Sequence, residues 1–340
     1  MIWALAGLLA GLLLAEVLVQ WHAVRVVLAL IENSPLFRTE SLPPDPDAES
    51  FSVVTIDGLT IRGFLHRHTE TTPRGLIVFC PEFTSNCRSA MMYCSALARA
   101  GFHVLSFDFR NHGDSDKQPG YEPLHWLTLY EIHDLNAVLD YVQQRPDLCE
   151  LPLGLFGISR GGGAALYAAA LRQEVALVAV EGAFGIETMM MAHARRWITI
   201  ATPEKIAELI PRWHVKWTVT LSRWGSQWRR KCRYAMLERV LPKLADRPIL
   251  VISGKRDTYV LTEVAEEICR LAKQPNALWS VPKAKHNLAR SVNPEEYDRR
   301  LVEFFSAIDQ PAETLHSKTA LRDSFSAPET PAKVTSATPQ

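Results

Sequence analysis

The sequence predicts an α/β fold built on a mostly parallel sheet, and three observations carry that prediction. Short apolar runs recur along the chain: LIVFC (76–80), FHVLSFDF (102–109), LGLF (153–156), VALVAVEG (175–182), PILVISG (248–254) and ALWSVP (277–282). Helical patterns separate them, as expected of βαβ units whose strands are covered on both faces. An alternating pair, FSVVTI and LTIRGFL around Asp57-Gly58, reads as a hairpin and adds an antiparallel start.

The elements follow in chain order. Residues 2–19, IWALAGLLAGLLLAEVLV, hold a single charge, Glu16, and match the length needed to cross a bilayer. No Lys or Arg precedes Arg25, and apolar residues resume at Val26, so a retained membrane anchor is expected over residues 1–31. The other readings are an apolar helix lying on the membrane or on its own domain, and a cleaved signal. Arg25 and Arg38 flank only the C-terminal side, which places the body of the chain in the cytoplasm; a soluble cytoplasmic protein is the alternative. A Pro/Asp-rich linker closes residues 32–50.

After the hairpin and the strand 76–80, NCRSAMMYCSALARAG is a helix stopped by Gly101. A further helix runs from about Thr128 and ends before Pro146, because the residue preceding proline avoids helical angles. Gly161 to Leu171 is an alanine-rich helix. Two more fill 262–273 and 294–308, the last with Asn293 as N-cap and Pro294 in its first position. Residues 186–242 break the rhythm with helical patterns, five tryptophans and many arginines. The Trp pairs 213/217 and 224/228 are one turn apart and fit either core packing or a pocket lining. Residues 309–340, rich in Ser, Thr, Pro and Ala, show no apolar period and read as a disordered tail.

The composition excludes several classes. With 37 acidic and 37 basic residues, the chain has no electrostatic footprint for nucleic acid. Its six cysteines form no CxxC pair or Cys/His cluster, which argues against a zinc site or a disulfide framework. His66 and His68 share a strand face without nearby carboxylates and are expected to be solvated. No metal or cofactor is expected.

The chemistry centres on GLFGISRGGG (154–163). A G-x-S-x-G between a strand and a helix is a nucleophile elbow, which holds its serine in a strained turn. Gly157 and Gly161 fill the pattern, and Gly162 and Gly163 are expected to let the helix pack on the sheet. Ser159 needs a base, and His286 in VPKAKHNLA is the histidine that follows the last core strand. The base needs an orienting acid, for which SGKRDTYV offers Asp257; Glu181, at the end of the preceding strand, is the rival. The order Ser159, Asp257, His286 agrees with this motif's known arrangement.

On GISRGGG, SGKRDTYV, KAKHN and SFDFRNHGDSD (106–116), residues 51–308 resemble the α/β-hydrolase family. The resemblance implies a central sheet with helices on both faces, a core of 51–185 and 243–308, and a helical cap in 186–242. It makes Ser159 the nucleophile, His286 the base and Asp257 the acid, and it explains Asp108, His112, Asp114 and Asp116 as scaffold. By position, the backbone N–H groups of Phe83 and Arg160 form the oxyanion hole. The chain departs from the family at CPEFTSN, which lacks the usual His-Gly pair and puts Glu82 beside that hole. The implied activity is hydrolysis of an acyl, ester-type bond in an amphipathic small molecule. Thioesterase, peptidase, acyltransferase and a non-catalytic binding protein of the same fold are the alternatives.

Overall fold

A computed structural model of the protein describes residues 2–33, 42–43 and 45–309. Residues 34–41 and 44 of the linker expected at 32–50, and all but the first residue of the tail expected at 309–340, lie outside the described residues. The first helix, α1 (Ile2–Ile31), precedes the hairpin strands β1 (Glu49–Val54) and β2 (Thr60–His66). Then come β3 (Gly75–Cys80), α2 (Ala90–Arg99), β4 (Phe102–Phe107), α3 (Leu129–Gln144), β5 (Leu153–Ile158), α4 (Arg160–Ala169) and β6 (Val175–Glu181). Three helices follow without a strand: α5 (Ile186–Ala201), α6 (Glu204–Leu209) and α7 (Arg212–Arg230). The chain closes with β7 (Ile249–Gly254), α8 (Thr262–Leu271), β8 (Leu278–Val281), α9 (Ala289–Val292) and α10 (Pro294–Ser306).

The eight strands form one sheet in the order β1-β2-β4-β3-β5-β6-β7-β8. The β1–β2 and β2–β4 pairs are antiparallel and the others parallel. Strands β3, β4, β5 and β7 are buried at every position, as a sheet covered on both faces requires. One face packs on α2 and α10 through Tyr93, Leu97, Leu301 and Phe305. The other packs on α3, α4 and α8 through Leu135, Val138, Leu166 and Val264.

Local signals act where expected, with differences. Thr128 and Glu131 form a reciprocal capping box on α3, and Arg145 turns extended before Pro146. Asn293 occupies the N-cap position of α10 but its side chain makes no capping bond, which leaves Pro294 and the first-turn acids Glu295 and Glu296 to mark its start. The short helix α9, which has no signal of its own, fills the gap before it. Among the described residues the six cysteines are free thiols, and only Cys149 is not fully buried.

The tryptophans correct the reading of residues 213–228. Trp213, Trp217, Trp224 and Trp228 are all more than half exposed and so belong to neither a core nor an enclosed lining. The opposite face of α7 is small and polar, and it packs on α1. Glu16 and Gln20 meet His214, Gln20 meets Thr218, the Val24 carbonyl accepts from Ser222, and Leu28 lies against Gly225. The two helices therefore run in the same direction. The residues of α1 turned inward recur at Glu16, Gln20, Val24, Leu28 and Ile31, spaced as one helical stripe. Trp126 fixes the end of α1 by donating its indole N–H to the Ile31 carbonyl at 2.7 Å.

Candidate active site

The site stands at the C-terminal edge of the parallel strands, where open α/β sheets hold their ligands. Ser159 joins β5 to α4 with φ 52° and ψ −119°, a strained conformation for a residue with a Cβ. Its N–H donates to the Glu181 carbonyl at 2.7 Å, tying the turn to the end of β6. A Cβ on Gly157 would lie 2.5 Å from the Gly161 carbonyl oxygen, and one on Gly161 would strike the carbonyls of Cys80 and Pro81. Gly162 is pressed at 3.0 Å against Ala183 and so serves the expected packing on the sheet. Gly163 does not: a Cβ there would make ordinary contacts with Leu127 and Phe184.

Three of the expected residues are joined in one line. Ser159 Oγ lies 3.0 Å from His286 Nε2, and His286 Nδ1 lies 2.7 Å from Asp257 Oδ2. A carboxylate can only accept, so Nδ1 carries the ring proton and Nε2 is left to accept from the serine hydroxyl. The His286 and Asp257 side chains are 6% and 2% exposed. The other Asp257 oxygen, Oδ1, accepts the N–H groups of Tyr259 and Val260, each at 2.8 Å, so the carboxylate is fixed from both sides.

Glu181 is engaged elsewhere. Its carboxylate accepts the Ala289 N–H at 2.9 Å and the Tyr297 hydroxyl at 2.8 Å, bracing the chain just past His286. Burial raises its pKa. Glu82 is likewise turned inward, onto Ser89 at 3.5 Å. Burial, with Glu181 nearby, pushes Glu82 up to about 7.

The segment after β3 rests on the first turn of α4, as the close approach of Gly161 to Cys80 and Pro81 shows. Phe83 and Arg160 meet there through their side chains, the guanidinium lying 4.9 Å from the Phe83 ring centre. That guanidinium is buried. It donates to the Leu124 carbonyl at 3.0 Å, lies 3.5 Å from Glu131, and reaches His112 Nε2 at 3.2 Å. Burial and the adjacent Arg160 lower the His112 pKa to about 4, keeping the ring neutral and able to accept.

The remaining polar residues serve the scaffold. Asp108 accepts the N–H groups of Cys87 and Asp114, and Asp116 pairs with Arg62. Arg110 forms a wholly buried pair with Asp134 at 2.6 Å. His66 pairs with Asp45, and His68 with Thr71. No cluster of His, Cys, Asp and Glu suited to a metal occurs among the described residues.

Two features carry no sequence flag of their own. The Tyr259 ring stands edge-on to His286 at 5.1 Å and meets His125 and His193 at 5.9 Å. Gly182, at φ +62°, leaves no room for a side chain, because a Cβ would sit 2.9 Å from His286 Cε1. Helix α5 is bonded to this region, His193 Nε2 to the Tyr259 carbonyl and Arg196 to the Thr258 carbonyl, both at 2.9 Å.

Comparison with known proteins follows the same lines. A profile of the family described as serine aminopeptidase, S33, matches residues 71–242, just over half of the chain. An uncharacterized 31.7 kDa protein of Escherichia coli is 29% identical over 139 residues, covering 39% of this chain and 47% of that one. The chain thus spans about half the length of that relative. The uncharacterized protein YqkD of Bacillus subtilis (strain 168) is 24% identical over 274 residues, covering 78% and 81%. Among solved structures, an esterase of Pyrococcus furiosus superposes with a TM-score of 0.58 at 20% identity, covering 82% of this chain and 98% of that one. The alpha/beta hydrolase GrgF from Penicillium sp. sh18 gives 0.58 at 20% identity, covering 77% and 98%. Both share the fold.

Proposed function

The chain belongs to the serine aminopeptidase S33 family of α/β-hydrolases, and from that premise we propose that it is a serine hydrolase cleaving a carboxylic ester through an acyl-enzyme. The observation that carries the reading is the continuous line Ser159–His286–Asp257. Ser159 Oγ attacks the ester carbonyl carbon while its proton passes to His286 Nε2. Asp257 holds the imidazole in the required tautomer and stabilises the imidazolium. The backbone N–H groups of Phe83 and Arg160 take the oxyanion; the latter opens α4, where the first N–H groups of a helix have no intrahelical acceptor. His286 then returns the proton to the departing alkoxide as the C–O bond breaks. A water molecule, deprotonated by the same nitrogen, releases the acid and restores Ser159.

The helices α5–α7 act in this reading as a cap over the site, and the substrate is an amphipathic acyl compound. Helix α1 is long and apolar enough to cross a membrane, and we place the protein there through residues 2–19, with its catalytic domain in the cytoplasm.

A fluorophosphonate probe should modify Ser159, as located by peptide mass spectrometry. Ser159→Ala should lose both labelling and turnover of p-nitrophenyl esters without changing the circular dichroism spectrum. Hydrolysis by that variant above about 5% of wild type removes Ser159 from the mechanism, since loss of a triad nucleophile costs far more. The family's description also raises amide bonds, and amino-acid p-nitroanilides run beside the esters decide between the two.

A further inference from the structure

The corner where α5 ends, α6 turns and α7 begins has an unusual surface. Trp197, Ile200, Ile206, Leu209, Trp213 and Trp217 are all exposed there, Leu209 by 79%. Exposed basic side chains, Arg195, Arg212 and Lys216, stand among them. Bulky aromatic and aliphatic groups mixed with cations match the composition of a membrane–water boundary, where tryptophan rings settle at headgroup level.

The packing of α1 decides where this corner sits. Residues 2–15 stand clear of the domain, all exposed, and amount to about 21 Å of helix. That is shorter than the hydrocarbon core of about 30 Å. The next turn is already held by α7: Glu16 lies 2.9 Å from His214, and Gln20 accepts from Thr218 at 2.8 Å. An α1 inserted as far as Val19 therefore carries the first turns of α7 with it to the edge of the hydrocarbon. Trp21 of α1, more than half exposed with the Arg25 guanidinium 4.7 Å from its ring, marks the same level from the other helix.

We propose that this α5–α7 corner is a second membrane contact, and that its occupant is the headgroup–acyl boundary of the bilayer that α1 enters. The proposal rests on the reading of α1 as a membrane helix and adds a surface to it. Helix α5 links that surface to the site: Ile200 lies two turns beyond His193, about 10 Å along the helix, and His193 is bonded to the Tyr259 loop beside His286. An acyl substrate dissolved in the leaflet would thus meet the enzyme at the mouth of its own cap.

The test uses the full chain, with Cys149→Ser as background, reconstituted in phosphatidylcholine–phosphatidylglycerol nanodiscs. An environment-sensitive fluorophore is attached to Leu209→Cys, with Ile206→Cys as a second position on the corner. Leu9→Cys reports on α1, and Leu171→Cys reports on the far end of α4. Lipids bearing a shallow nitroxide should quench the labels at 209 and 206 about twofold or more, while a deep nitroxide quenches the label at 9 and neither affects 171. If 9 is quenched and both 209 and 206 behave like 171, the corner stands in water and the proposal falls while the anchor survives. If 9 is also unquenched, the anchor reading fails and takes the proposal with it. If 209 is shielded only when two copies share a disc, without lipid quenching, a second copy is the occupant and the proposal is overturned.

Discussion

Around the C-terminal edge of the sheet, carboxylates, guanidinium groups and imidazoles are buried and paired. Across the α5–α7 corner, tryptophan, leucine and isoleucine are exposed on the surface of the chain. At the first region the charged groups are held from several sides: Asp257 by two N–H groups and an imidazole, and Arg160 by a carbonyl, a carboxylate and a neutral histidine. The geometry there is over-determined, so a substitution changes chemistry before it changes the fold. At the second region the side chains are turned outward, so a substitution should change where the protein sits and little else.

The sharpest break in that contrast is at Asp257. Asp257→Asn should lower kcat on a p-nitrophenyl ester by on the order of 10⁴, because the wrong imidazole tautomer is then favoured. Glu181→Gln, whose amide oxygen can still accept the Ala289 N–H while its NH2 turns to donate to the Tyr297 hydroxyl oxygen, should cost far less; a reversed order would make Glu181 the orienting acid. Next comes Gly182→Ala. A Cβ at that position must displace His286 or Asn287, and a misplacement of about 1 Å is enough to cost roughly 10² in kcat. An unaltered kcat would show that the histidine loop yields without consequence.

The buried carboxylate of Glu82 gives a smaller, pH-dependent effect. Burial raises its folded pKa from 4.5 to about 7, so between those values the native state binds the proton that the unfolded chain has released. Stability should therefore fall as pH rises from about 4.5 to 7, by on the order of 2–3 kcal/mol from this group. Urea midpoints across that range should flatten in Glu82→Gln; an unchanged slope assigns the fall to other groups, such as Asp134. The smallest effect belongs to the corner. Trp213→Gln should shift stability by less than about 0.5 kcal/mol and leave turnover of a water-soluble ester unchanged. A loss of several-fold in kcat there would join the two regions that the comparison separates.

The same contrast explains what could be read from the residues alone. The strands, their mostly parallel order and the antiparallel start were legible because burial on two faces leaves unbroken apolar runs such as LIVFC and PILVISG. Ser159, Asp257 and His286 stood out because each is a reactive type placed just past a strand. Gly182 and Tyr259 did not, since one acts by having no side chain and the other by the edge of a ring. The outward face of α7 was hidden for a different reason. Its Trp spacing identifies a stripe but not the partner, and the partner of the opposite face, α1, lies 194 residues earlier at the Gln20–His214 contact. Glu16 and Gln20 vanish inside an apolar run whose average they barely alter.

That separation of 194 residues also sets an order of events during synthesis. Translation at about 5–20 residues per second brings α7 out roughly 10–40 s after α1. If α1 is the membrane anchor proposed above, it enters the bilayer on that schedule before the surface that holds Glu16 and Gln20 exists. On that reading the α1–α7 pairing would be completed at the membrane, by a domain folding against an anchor already in place. Chain refolded from denaturant without lipid lacks that sequence of events, and its α1 must find α7 in competition with the α1 of every neighbouring molecule.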